Sequence, residues 1–329
     1  MKFVVIGLGS MGKRRIRLLL KQFKPACLCG TDISEEKRAQ VRALFGIATY
    51  ANYETAIAWE HPDAALICTS PLSHGEIIRR CIARGLHIFS EINLVSEQYD
   101  AIIAAAKKQQ VQLFLSSTQL YRKEIQTIAD IVSKQGKPVN YRYHVGQYLL
   151  DWHPWENDKD FFVWDKRTDG CREIFAIELP WLIRTFGEIA NFMVVKDKMS
   201  DLEIDYPDNY FLILQHEGGS KGVFIADVLT RKAQQTLLVY SDSLYLTWEG
   251  TPESLCRYDT TKKESESIAT YDIVERKNGY TQNNIENAYE AELSAFLMMI
   301  AGEKDHVHYS FEEDLHTLKL IDRIEGMPS

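Results

Sequence analysis

Three glycines and one aspartate carry the first chemistry that the sequence offers. In FVVIGLGSMG (residues 3–12) the spacing is Gly7-x-Gly9-x-x-Gly12, and Asp32 follows 20 residues after Gly12. Glycine at the first position permits a tight turn after a strand. The second lets the backbone approach a pyrophosphate, and the third lets helix and strand pack closely. Ser10 and Met11 complete the turn, and the helix that it opens offers N–H groups and positive potential to a phosphate. Asp32 is placed to accept hydrogen bonds from ribose hydroxyls and to repel a 2′-phosphate, which favours NAD. Ser34, Lys37 and Arg38 lie close enough to leave NADP open.

These residues need a particular scaffold. Short apolar runs at FVVI (3–6), ACLC (26–29), ALIC (65–68), HIFS (87–90) and QLFLSS (112–117) alternate with helical patterns such as Ile16, Leu19, Leu20 and Phe23. Ser34 reads as an N-cap, Gly46 as the stop of that helix, and Ser73-His74-Gly75-Glu76 as a capping box. Strand–helix alternation predicts an α/β fold, a parallel doubly wound sheet in a Rossmann domain over residues 1–122. From 123 to 329 the pattern predicts an α+β domain on an open, mainly antiparallel sheet, with the C-terminal helices packing back on the first domain. Its strand candidates include FLILQH, KGVFIADV, QTLLVYS and SLYLTW; its second helix is CREIFAIELPWLIRTFG, and Ser310-Phe311-Glu312-Glu313 opens the last helix.

The bulk numbers exclude several classes of function. A net charge of -8 argues against nucleic acid or an anionic membrane as partner, since phosphate binding uses clustered Lys and Arg. KRRIR (13–17) is read as the start of the phosphate-site helix. Six cysteines without a CxxC pair or zinc spacing fit a reducing, cytoplasmic setting, and no apolar run approaches a membrane span. His306-Val-His308 lacks a third ligand at a telling spacing, so no metal is expected.

Taken with the glycine fingerprint, two further stretches resemble the Gfo/Idh/MocA family of NAD(P)-dependent sugar and cyclitol oxidoreductases. ICTSPLSH (67–74) resembles the family's T-P-P-x-x-H turn, and GLHIFSEINLV (85–95) resembles its G-K-H-V-x-x-E-K-P-L segment. The resemblance implies cofactor contacts from Thr69, Ser70, Pro71, His74, Glu91 and Asn93, with His74 in a positioning role. It also implies hydride transfer at a carbinol carbon, with the proton handled by the Lys of E-K-P and by an Asp-x-Gly-x-His helix. Here the sequence departs from the pattern. Ile92 stands at the Lys and Asn93 at the Pro; counting back from Gly187, Ile174, Ile177 and Pro180 fall at the helix motif's Asp, His and a further Asp. Isoleucine cannot take a proton.

Replacement groups lie nearby. Glu173 and His153 are the candidate proton carriers; Tyr121, Arg122, Trp152, Trp155, Arg172 and Glu178 are the candidate substrate residues. Two functions follow as expectations. One is an NAD(P)-dependent oxidoreductase on a sugar, sugar derivative or cyclitol with an atypical proton carrier. The other is a non-catalytic NAD(P)-binding sensor or regulatory protein of the same fold. An open sheet with one uncovered face predicts a homodimer or homotetramer.

Overall fold

A computed structural model describes residues 1–152, 162–277 and 282–327. Two compact units divide the chain: Met1–Ser117 with Glu290–Leu318, and Thr118–Tyr289 with Lys319–Ser329.

The first unit is built on a six-stranded parallel sheet. Its strands are β1 (Phe3–Ile6), β2 (Leu28–Thr31), β3 (Ala48–Tyr50), β4 (Ala64–Ile67), β5 (His87–Ser90) and β6 (Leu113–Leu115), in the order β3-β2-β1-β4-β5-β6. That order reverses direction between β1 and β4, which opens a crevice at the carboxyl ends of those two strands. Both faces are covered, so β1 and β4 are buried at every position and read as continuous apolar runs. Phe89 and Phe114 stack at 5.1 Å between centroids, and Phe296 meets Phe89 edge-on at 5.5 Å.

Local chemistry sets the helix ends. In α2 (Glu35–Phe45) the Ser34 side chain caps the Lys37 N–H, and Gly46 closes the helix at φ 65, a conformation that favours glycine. The capping box predicted at Ser73 does not form. Helix α4 (Pro71–Ala83) starts three residues earlier, with Ser70 as its N-cap and Pro71 at its first position, and Glu76 pairs instead with Arg79 and Arg80. Proline has no N–H to lose there and its fixed φ suits a helix start. The box at Ser310 does form: Ser310 N donates to Glu313 Oε2 at 2.8 Å, and Glu313 N donates to Ser310 Oγ at 3.2 Å.

The second unit carries an eight-stranded mixed sheet, mostly antiparallel, spanning β7 (Asn140–Gly146) to β14 (Glu264–Ser267). Its central strands are β7, β9 (Asn209–His216), β10 (Lys221–Asp227) and β11 (Gln234–Tyr240), and β7 pairs parallel with β10. Burial alternates along β9, as expected of a sheet with one covered and one uncovered face. Helix α7 (Gly170–Phe186) covers the inner face with Phe175, Leu179 and Leu182, and Trp181 meets Tyr143 edge-on at 5.1 Å. On the other face Met193, Val195, Phe211 and Ile213 are exposed, with Val195 opposite Phe211 and Met193 opposite Ile213 on neighbouring strands. No helix among the described residues is long and apolar enough to cross a membrane.

Candidate functional site

The glycine turn follows β1, and each glycine answers to a different constraint. Gly7 has φ +94, and a Cβ there would lie 2.5 Å from the Cys68 carbonyl oxygen. A Cβ on Gly12 would lie 1.9 Å from the Gly7 carbonyl oxygen, so α1 (Ser10–Leu19) could not pack so close to the turn. A Cβ on Gly9 meets nothing within 4 Å. Gly9 is also the N-cap of α1, and no side chain caps that end. The turn is therefore tight from behind and open in front, the shape that a pyrophosphate on a helix N-terminus requires.

Asp32 stands just past β2 with both carboxylate oxygens oriented. Leu8 N donates to Oδ2 at 2.9 Å and Ser34 N donates to Oδ1 at 2.9 Å. Each oxygen keeps a further lone pair, which suits two ribose hydroxyls. The glycine cradle and this carboxylate fit a dinucleotide.

The β4 turn and the SEINLV segment form the second wall. His74 is buried, with Nε2 2.9 Å from the Thr69 carbonyl and Nδ1 2.7 Å from Asn93 Oδ1. Burial lowers its pKa, outweighing the bonds to Thr69 and Asn93, which favours the neutral ring. A carbonyl only accepts, so Nε2 carries the hydrogen and Nδ1 must accept. Asn93 Nδ2 is buried without a hydrogen-bond partner, and turning the amide over brings that NH2 onto Nδ1. Thr69 Oγ1 lies 2.8 Å from Ser73 Oγ, which in turn donates to the Ser70 carbonyl. Ile92 is half-buried between Glu91 and Asn93, both buried.

Glu91 belongs to a buried cluster that the sequence did not reveal. Arg15, fully buried, donates from Nε to Glu91 Oε1 and from Nη2 to Glu292 Oε2, both at 2.6 Å. Its guanidinium sits 4.4 Å above the centre of the Phe89 ring. Glu292 Oε1 accepts from Ser116 Oγ at 3.0 Å and from Ser117 N at 2.7 Å. Burial pushes the Glu292 carboxyl up while Arg15 opposes it; burial alone would lower Arg15, but Glu91 and Glu292 outweigh it and raise it. One clue was present: Arg15 falls on the apolar stripe of α1 beside Ile16, and a charge buried there needs a partner.

In the second unit the candidate residues divide. Over the first three turns of α7, Glu173 and Ile177 alone are half-buried, and the rest of Gly170–Pro180 is buried. Four residues apart, they share one face. Glu173 Oε2 has no hydrogen-bond partner, and removal from water pushes the carboxyl up to about 7. Trp152 is half-buried and donates from Nε1 to the Gln147 carbonyl at 3.0 Å; its ring would lie 3.5 Å from a Cβ on Gly170, at the start of α7. His153 and Trp155 lie outside the described residues.

The other candidates have internal partners. Glu178 is buried and accepts from Tyr143 Oη at 2.7 Å, Trp181 Nε1 at 2.6 Å and Gln119 Nε2 at 3.1 Å. Arg122 donates to Glu124 Oε1 and to the Gly250 carbonyl, and Arg172 pairs with Asp322 and Glu325. Tyr121 is buried. The sequence also missed a pair on the sheet, His144 Nε2 2.7 Å from Asp227 Oδ2. It joins β7 to β10, strands whose pairing no sequence spacing predicts.

Residues 1–117 match the family model for Gfo/Idh/MocA, described as an oxidoreductase family with an NAD-binding Rossmann fold. Residues within the chain are 27% identical over 144 positions to myo-inositol 2-dehydrogenase of Thermotoga maritima, covering 42% of this chain and 43% of that relative. The match thus spans less than half of the relative's length. Among solved structures, UDP-N-acetylglucosamine 3-dehydrogenase of Acidithiobacillus ferrooxidans superposes with a TM-score of 0.77 at 17% identity, covering 99% of this chain and 97% of that one. An NAD-binding oxidoreductase of Klebsiella pneumoniae gives 0.77 at 16% identity, covering 99% and 96%. At these identities the superpositions establish the fold alone, a Rossmann unit followed by the mixed sheet.

Proposed function

We propose that this chain is an NAD-dependent oxidoreductase of a sugar, sugar derivative or cyclitol, in which Glu173 carries the proton. The chemistry that a bound nicotinamide supplies is hydride exchange with a carbinol carbon. Gly7, Gly9, Ser10, Met11 and Gly12 hold the pyrophosphate on the N-terminus of α1, and Asp32 holds the adenosine ribose. Thr69, Ser70, Pro71 and His74 line the cofactor's second side, with Glu91 and Asn93 behind them. His74, neutral and pinned by Thr69, keeps that wall in place and takes no proton.

The observation that carries the reading is Glu173. Hydride leaves a carbinol carbon only as the hydroxyl proton departs, and a base works best with its pKa near the working pH. Glu173 has an unpartnered Oε2 and a carboxyl pushed up to about 7 by burial. In this reading Oε2 takes the hydroxyl proton during oxidation and returns it during reduction. Ile177 on the same face excludes water, and Trp152 offers an apolar ring to a sugar face. Tyr121, Arg122, Arg172 and Glu178 brace the unit through the contacts described above. The names of the relatives support a polyol or nucleotide-sugar substrate. The exposed apolar face of the mixed sheet supports self-association.

The test is hydride transfer, followed at the reduced-nicotinamide absorbance, over a panel of inositols, sugars and UDP-sugars. Turnover should rise with pH through about 7 and fall by roughly 10²–10⁴-fold in Glu173→Gln. NAD binding without turnover on any of these would instead favour the sensor reading, which the buried Ile174 and half-buried Ile92 in place of proton carriers would then explain.

A further inference from the structure

Beside the ribose carboxylate lies an arginine that is close enough to matter and is held by an acid. Arg38 Nη1 donates to the Asp32 carbonyl at 2.5 Å and to the Ile33 carbonyl at 3.0 Å, so the guanidinium rests on the same backbone that presents the Asp32 carboxylate. The rest of its fork is taken by Glu35: Nε donates to Oε2 at 2.9 Å, and Nη2 donates to the same oxygen. The other oxygen of Glu35 accepts from Arg42 Nη2, and Arg42 Nη1 donates to Thr49 Oγ1 at 2.7 Å. These two arginines hold the Glu35 carboxyl below the usual carboxylate range. Glu35 is exposed while the Arg38 side chain is largely covered.

We infer that Glu35 is a specificity residue: it occupies Arg38 and thereby withholds from the ribose site the guanidinium that would bind a 2′-phosphate. The inference rests on the dinucleotide reading above. An arginine fork binds a phosphate oxygen pair as readily as a carboxylate, so the two compete for the same donors. Asp32 disfavours the 2′-phosphate by repulsion, and Glu35 adds a second bar by removing its natural partner. Discrimination of this kind uses a blocked attraction as well as a repulsion.

The experiment is titration calorimetry of NAD and NADP on the wild type, Glu35→Gln and the double variant Glu35→Gln/Arg38→Gln, with circular dichroism to verify the fold of each. Glu35 is exposed near a helix start, so its replacement leaves the core untouched. Glu35→Gln should tighten NADP by about tenfold, as expected of a released charge-assisted pair, and change NAD by less than about twofold. The double variant should lose the gain. An unchanged NADP affinity in Glu35→Gln, with NAD still bound, would overturn the inference alone. Failure of the folded wild type to bind either dinucleotide would overturn the dinucleotide reading and the inference with it.

Discussion

Arg15 Nη2 lies 2.6 Å from Glu292 Oε2, two fully buried groups 277 residues apart in sequence. Both oxygens of Glu292 accept: one from Arg15, the other from Ser116 Oγ and the Ser117 N–H. Removing one partner of a buried pair leaves the other charged and unsatisfied. Glu292→Ala should therefore cost on the order of 3–5 kcal/mol in denaturant unfolding of the first unit. Glu292→Gln should also destabilise, because whichever end carries the NH2 then faces a donor. A Gln variant as stable as the wild type would refute this account of the cluster.

Glu173 makes a second prediction that needs no substrate. Its carboxyl, pushed up to about 7, binds a proton more tightly folded than unfolded, where the ordinary value is 4.5. A raised carboxyl contributes stability at pH below the unfolded value and loses it as pH rises toward about 7. Above that, the folded chain carries a costly buried charge. Glu173→Gln should accordingly be more stable than the wild type at pH 8, by on the order of 1–3 kcal/mol, and nearly equal to it at pH 4. Equal melting curves at both pH values would show that Glu173 is an ordinary solvated carboxylate.

His74 should be visible directly. With its pKa lowered by burial, it holds its neutral form, with the hydrogen on Nε2, to lower pH than an ordinary histidine does. Nitrogen NMR on histidine-labelled protein should show this ring in that tautomer and titrating below the ordinary value of 6.5. The linked stability is present above the unfolded histidine value of 6.5 and is lost as pH falls through the depressed folded one. A ring that titrates at or above 6.5 would contradict the Thr69–His74–Asn93 arrangement.

The uncovered face of the mixed sheet yields a test of association. Val195 is 71% exposed and Phe211 48%, and they face each other across neighbouring strands. Apolar neighbours of this kind on an open face are a feature of protein interfaces. Phe211→Arg should shift the sedimentation coefficient from that of an oligomer to that of a monomer while leaving NAD affinity unchanged. A wild type that already sediments as a monomer at micromolar concentration would dispose of the idea.

Much of the first unit was legible because its signals are local. The Gly7–Gly12 spacing, the run FVVI, the Ser34 cap and the Gly46 stop each act within a few residues, and each forms as the local chemistry demands. Where a local rule met a competitor, it lost: Pro71 took the helix start from Ser73. Partnerships across the chain left little trace. Nothing in ELPWL announces that Glu178 is filled by Tyr143 and Trp181, or that Arg122 is spent on Glu124 and Gly250. A free carboxylate and an occupied one look alike until their neighbours are in view. Glu173 was legible as a candidate only because Ile174 and Ile177 beside it cannot carry a proton.

The helix that supplies Glu292 bears on how the protein comes into being. A ribosome delivers all six strands of the parallel sheet, and Arg15 on α1, long before residue 292 leaves the exit tunnel. Until then the nascent first unit holds a buried guanidinium with Glu91 as its carboxylate and the Ser117 N–H without its acceptor. The unit is thus discontinuous in synthesis as well as in sequence: its last stitch waits for residues 118–289 of the second unit to be made. A fragment ending at Ser117 is not a smaller version of this domain but an unfinished one.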